Sequence, residues 1–164
     1  MHPAIPGIIA ILSAASGFLP DVNGMRRRAL GVGSMIASVT AILVVAPVLF
    51  SGTPLVWGPI LIDRFGAYVI CLIALVAGLA VLAGVHYLDH GRKEGSVTAS
   101  GERIFCIFFP LFLLSMLTVA AADNLALIWI ALESTTLTTT LLVDFDRTRG
   151  AIEGSRSARE DAHR

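Results

Sequence analysis

Five long apolar stretches, separated by short segments that hold most of the charged residues, constrain this chain more than any other feature. A hydrocarbon core about 30 Å thick takes roughly 20 helical residues to cross. Four of the stretches have that length, and the first is somewhat shorter. The predicted spans are Ala4–Leu19, Ala29–Phe50, Phe65–Leu88, Ile104–Ala122 and Asn124–Val143. Charged residues make up 15% of the chain, against about 25% in soluble domains.

These stretches predict an all-α fold, a polytopic membrane helix bundle with five transmembrane helices over residues 1–143, followed by a polar cytoplasmic tail at 144–164. Gly91 is a predicted helix stop, and Asp123 or Asn124 can cap the last helix. Pro110 lies inside the fourth span and is expected to kink it. The segment 55–62 follows a break at 51–54 and is predicted to lie at the membrane interface.

Lys and Arg are distributed very unequally between the two sides of a five-span model. Arg64 is alone on one side, and the other side carries eleven basic residues, which are Arg26, Arg27, Arg28, Arg92, Lys93, Arg103, Arg147, Arg149, Arg156, Arg159 and Arg164. Cytoplasmic loops are enriched in these residues. The N-terminus is therefore predicted outside and the C-terminus in the cytoplasm. The basic residues form no stripe of the kind that binds nucleic acid.

Glu133 is the one acidic residue predicted deep inside a span, at the tenth of the twenty positions of the fifth. An ionisable side chain at that depth opposes insertion by about 2.5–3.5 kcal/mol. The nine Leu, Ile and Val residues of the span offset about 3–5 kcal/mol. The favourable and unfavourable free energies of inserting this helix into the bilayer therefore nearly cancel. We expect Glu133 to face the interior of a helix bundle.

The helical period places Trp129, Glu133, Thr136 and Thr140 on one stripe. Hydroxyls and trapped water can donate and accept hydrogen bonds, so a carboxyl on this stripe can carry protons. The alternative is that the hydroxyls mediate helix packing and that Glu133 is a protonated structural residue. Intramembrane acids are usually functional, which favours proton transfer with Trp129, Thr136 and Thr140 as supporting residues.

The histidines at the end of the third span and the two cysteines are less specific indicators of function. His86 and His90 are four residues apart and could share a metal on one helix face, but no further ligand cluster accompanies them. We therefore predict interfacial histidines and no metal site. Cys71 and Cys106 are expected at opposite membrane depths, too far apart for a disulfide. No flavin, iron–sulfur or quinone motif is present, so we predict no cofactor and no catalytic centre in this chain.

The segment 122–137, ADNLALIWIALESTTL, together with LLV at 141–143 and FDRT at 145–148, resembles the fifth-helix signature of a known family. That family is the antiporter-like membrane subunits of NADH–quinone oxidoreductase, Mrp antiporters and membrane-bound hydrogenases, and the F subunit of hydrogenase-4 or formate hydrogenlyase is the most similar type. Residues 62–67 and 87–88 also fit the ends of the family's third helix. The resemblance covers roughly residues 55–153.

The resemblance implies that Glu133 takes part in proton transfer by pairing with a lysine on a later, broken helix. It also implies the plasma membrane of a bacterium or archaeon, other membrane subunits as partners, and electron chemistry on those partners. After Gly154 the family continues into a sixth helix, whereas this sequence becomes strongly polar. We therefore expect the lysine-bearing helices and the second inverted repeat to be missing, as after a frameshift, a premature stop or a natural split.

Two functions remain open from the sequence. The first is a membrane subunit, apparently truncated, of an NADH dehydrogenase-like or hydrogenase-4-like complex, in which Glu133 contributes to proton translocation coupled to electron transfer. The second is a non-transporting scaffold or assembly protein derived from the same five-helix unit. In both cases the lipid bilayer and other membrane subunits are the expected partners, and the first adds protons as the transported species.

Overall fold

The computed structural model describes residues 25–93 and 99–162, and the side chains of residues 28–91 and 101–143. Four helices and one β-hairpin follow each other along this part of the chain. They are α1 (Met25–Ser51), β1 (Leu55–Trp57), β2 (Ile60–Ile62), α2 (Arg64–Lys93), α3 (Ala99–Ala121) and α4 (Leu125–Ala162). Each of the four helices contains an apolar segment long enough to cross a membrane.

The helix bounds agree with four of the predicted spans and correct some of their ends. The first predicted span, Ala4–Leu19, lies outside the described residues. Gly91 does not stop α2, which continues to Lys93, and α3 begins at Ala99, five residues before the predicted span. α3 is also one continuous helix through Pro110. The backbone of α4 remains helical through the polar segment as far as Ala162.

The segment between α1 and α2 is a β-hairpin, so the fold is predominantly rather than entirely helical. The two strands are antiparallel, with Trp57 opposite Ile60. Gly58 adopts a φ of 56°, and Pro59 has a φ fixed near −65° by its ring. A positive φ followed by a negative one is the pattern of a type II′ turn, whose twist suits a two-residue hairpin loop.

The hairpin also contacts the connection between α3 and α4, which lies at the same end of the bundle. This end is here called the hairpin end. Ile60 forms an antiparallel bridge with Ala122, and the backbone N–H of Asp123 donates to the carbonyl oxygen of Pro59 at 3.0 Å. The α3–α4 connection is thereby held against the α1–α2 connection. This contact fixes the position at which α4 begins.

Helices α1, α2 and α3 form the core of the bundle, and consecutive helices are antiparallel. Small residues bring α1 and α2 close together, as Ala37 and Ala41 of α1 and Ala67 and Ala74 of α2 are buried in the same cluster. Close packing through small residues is the usual basis of helix association in lipid. A second cluster, with Leu30, Val81, Leu88, Cys106 and Phe109, lies toward the opposite end. Cys71 and Cys106 are both free thiols.

α4 packs chiefly against α3 and leaves most of its surface open. Only 11% of its apolar segment, Leu125–Val143, is buried by the rest of the described chain. The buried face includes Ala131 and Thr138. The remaining surface is available to lipid or to other helices.

Candidate functional site

The position of Glu133 along α4 follows from the way the helix begins. The side-chain Oδ1 of Asn124 accepts a hydrogen bond from the backbone N–H of Ala126 at 2.8 Å, so Asn124 is the predicted N-cap. Glu133 is the ninth residue of the 19-residue apolar segment that begins at Leu125. Eight residues at 1.5 Å each place it about 12 Å from Leu125, near the centre of this apolar segment.

The four residues of the predicted stripe share the open face of α4. Trp129 is 68% exposed, and Glu133, Thr136 and Thr140 are exposed as well. The helical period therefore brings these side chains together as expected. However, none of the other described helices covers Glu133, so an interior location for this carboxyl requires helices beyond the four in the described part of the chain.

In the part of α4 whose side chains the structure describes, the hydroxyl groups all donate to the backbone of their own helix. The acceptors are carbonyl oxygens three or four residues earlier, at 2.7–3.2 Å. The donors are Ser134, Thr135, Thr136, Thr138, Thr139 and Thr140. On the open face, the Thr136 hydroxyl donates to Leu132 at 3.2 Å and the Thr140 hydroxyl to Thr136 at 2.8 Å.

These bonds determine what the stripe can offer to a neighbour. A hydroxyl has one proton and two lone pairs, so Thr136 and Thr140 present oxygen lone pairs once their protons are directed into the helix. The open face therefore combines a carboxyl with hydrogen-bond acceptors. Such a face suits a donor, such as a protonated carboxyl, a water molecule or an ammonium group.

Glu102 is a buried carboxyl that was not among the site residues predicted from the sequence. The predicted span began at Ile104, which placed Glu102 at a boundary, whereas the side chain is 0% exposed in the first turn of α3. It lies one helical turn before Cys106, which belongs to the second core cluster. An acidic residue in the first turn of a helix is stabilised by the helix dipole, and this was the available signal in the sequence.

His86 and His90 lie in the last turns of α2 with their rings stacked, 6.4 Å between centroids and 12° between planes. His86 lines a groove between α1 and α2 together with Arg28 and Asp89. Within the described residues, no three His, Cys, Asp or Glu side chains are grouped so that they could hold a metal ion. The pair therefore lacks a third ligand of these types in the part of the chain that the structure describes.

Comparison with known proteins gives one informative match. A protein described as "Hydrogenase-4 component F homolog", from Methylacidiphilum infernorum (isolate V4), is 25% identical over 95 residues. The alignment covers 58% of this chain and 20% of the relative, so it spans about a fifth of the relative's length. No family model matches the chain, and no solved structure matches it.

The match and the fold together support a coarse assignment. The relative is described as a homolog of a hydrogenase-4 component, and the described part of this chain contains four helices that are apolar and long enough to span a membrane. Both observations fit a multi-pass membrane subunit of a hydrogenase-like complex.

Proposed function

We propose that this chain is a membrane subunit of a hydrogenase-4-like or NADH dehydrogenase-like complex in a bacterial or archaeal plasma membrane. In this proposal Glu133 carries protons within the bilayer, and partner subunits catalyse the electron transfer. The observation that carries the proposal is the position of Glu133, which lies near the centre of an apolar helix segment on the face that the other described helices leave open.

The neighbours of Glu133 on α4 favour proton transfer over a purely structural role. The Thr136 and Thr140 oxygens offer acceptors on one side of the carboxyl. Trp129, one turn earlier, offers an apolar side chain on the side of the hairpin end. A protonated Glu133 can therefore pass its proton along the threonine side through water, while Trp129 limits the access of water from the hairpin end.

Release of the proton needs a group that stabilises the ionised carboxylate. An opposite charge within about 4–6 Å favours the charged form of an acid. In the apolar segments of the described helices, Arg28, Arg64 and Arg103 are close to helix ends rather than at the depth of Glu133. We therefore propose that a helix of another part of the complex packs on the open face of α4 and brings a cation to Glu133.

The proposal predicts that Glu133→Gln uncouples proton uptake from electron flux. Glutamine keeps the size of the side chain but cannot ionise, so the assembled complex should transfer electrons while its proton uptake per electron falls. Glu133→Asp keeps an ionisable group and should retain most of the coupling. Both ratios can be measured in inverted membrane vesicles that contain the complex, after copurification has shown that each variant assembles.

An unchanged ratio of protons to electrons in an assembled Glu133→Gln complex would contradict the proposal. That result would favour the alternative role as a non-transporting scaffold, in which the carboxyl is only a hydrogen-bonded packing residue. Failure of the Glu133→Gln variant to assemble, with normal assembly of Glu133→Asp, would also assign the ionisable group to structure rather than to proton transfer.

A further inference from the structure

A groove on the outer surface of α1 and α2 combines an apolar floor with a charged end. Its volume is about 710 Å³, within the range of about 300–1,000 Å³ that is typical of ligand sites. Six of its lining residues are Arg28, Val32 and Ile36 of α1 and Leu82, Val85 and His86 of α2. We name it the α1–α2 groove.

The apolar part of the groove is open to the side of the bundle. Val32 is 60% exposed, Ile36 48% and Leu82 54%. The helices approach closely at the base of the groove, where a Cβ atom on Gly31 would lie 3.3 Å from Val85. The result is a shallow apolar channel between two helices, open along its length to the surroundings of the bundle.

The charges lie at one end of the groove, which is the end opposite the hairpin. Arg28 and His86 line it there, together with the carboxylate of Asp89. The first turn of α1 and the last residues of α2 place four further basic residues at the same end, which are Arg26, Arg27, Arg92 and Lys93. On these two helices, basic residues therefore outnumber the acidic Asp89 at this end.

The length of the groove matches one leaflet of a bilayer. Arg28 and Ile36 are eight helical residues apart, which corresponds to about 12 Å. One leaflet contributes half of a hydrocarbon core of about 30 Å. A molecule in this groove would place its polar part among the basic residues and its apolar part along Val32, Ile36 and Leu82.

We propose that the α1–α2 groove binds an anionic phospholipid. An acyl chain occupies the apolar channel, and the phosphate group interacts with Arg28 at the charged end of the groove. Basic residues beside membrane-spanning helices attract anionic headgroups, and an open lateral groove admits a lipid directly from the bilayer. This site is separate from Glu133 and does not depend on the proposed function of that residue.

The test uses the full chain in lipid nanodiscs with a tryptophan in the groove as a reporter. The native Trp57 and Trp129 are replaced by Phe, and Leu82→Trp introduces the reporter. A small fraction of phosphatidylglycerol with brominated acyl chains should quench this tryptophan more than the same fraction of brominated phosphatidylcholine. The affinity of the groove for phosphatidylglycerol should exceed its affinity for phosphatidylcholine by about fivefold for each basic residue that contacts the headgroup.

Two matched controls define the site. Arg28→Gln should reduce the preference about fivefold, whereas Arg64→Gln, which removes a cation at the hairpin end, should leave it unchanged. A reporter at Leu75→Trp should show no headgroup preference, because Leu75 is 55% exposed on the same helix but lies outside the groove.

Three results would overturn the proposal. Equal quenching by both brominated lipids would show that the groove has no headgroup selectivity. Absence of quenching at Leu82→Trp would show that another occupant, such as residues 4–19 or a second copy of the chain, covers the groove. Loss of the preference on addition of inorganic phosphate would assign the basic end to free phosphate rather than to a lipid.

Discussion

Gly84 is a point of close approach between α2 and α3. A Cβ atom at this position would lie 2.7 Å from Cζ of Phe105, closer than van der Waals contact allows. The Phe105 ring cannot move freely, because it is stacked on Phe109 with 5.4 Å between ring centroids and 19° between ring planes. At Gly78, on the same helix, a Cβ atom would meet Met35 at 3.8 Å and Ser38 at 3.9 Å, which are ordinary contacts.

The two glycines provide a matched pair for a stability prediction. Gly84→Ala should lower the free energy of unfolding relative to Gly78→Ala by about 1–3 kcal/mol, the usual effect of overpacking a core. The gain in helix propensity is common to both substitutions and cancels in the comparison. Unfolding in mixed detergent micelles, followed by circular dichroism, measures the difference. Equal stability of the two variants would show that the Phe105–Phe109 pair can shift without loss.

At the scale of single elements, the start of α4 determines the depth of Glu133. Asn124 accepts a hydrogen bond from the N–H of Ala126 through its side chain, and its backbone carbonyl accepts one from the N–H of Ile128 at 2.9 Å. The side-chain bond satisfies a donor that has no partner within the helix. The hairpin adds a second constraint through Asp123 and Pro59.

Removal of the cap should loosen the first turn of α4. Asn124→Ala is expected to lower the free energy of unfolding by about 1 kcal/mol and to accelerate amide hydrogen exchange at Ala126. Asn124→Asp keeps an acceptor oxygen and should behave like the unsubstituted chain. If Asn124→Asp accelerated exchange as much as Asn124→Ala, the side chain would stabilise α4 through packing and not through the cap.

The sequence predicted the four described helices and a cap at Asp123 or Asn124, because apolar length and cap residues are local signals. The hairpin was missed because Leu55–Ile62 is a short apolar run without polar alternation, so its strands depend on the turn at Gly58 and the bridge to Ala122. The helical period placed Glu133 and Thr136 on one face. It could not show that the described helices leave that face open, since this depends on where α4 packs in the bundle.

At the scale of the whole molecule, the helix arrangement distributes the basic residues unequally between the two ends of the bundle. Because consecutive helices are antiparallel, Arg28 at the start of α1 and Arg103 near the start of α3 lie at one end, and Arg64 at the start of α2 lies at the other. From this separation and the positive-inside rule, we predict that the end with Arg28 and Arg103 faces the cytoplasm.

Reporter fusions can test the orientation and the number of spans together. The orientation predicted from the basic residues places the hairpin end outside. We therefore predict that alkaline phosphatase fused after Thr53 is active and that a fluorescent protein fused after Arg164 folds in the cytoplasm. An epitope at Met1 should be accessible from outside the cell if residues 4–19 cross the membrane. An epitope accessible only after permeabilisation, with the other two results unchanged, would reduce the bundle to four spans. Inactive phosphatase at Thr53 would reverse the orientation, because the basic ends of α1 and α3 would then face outward.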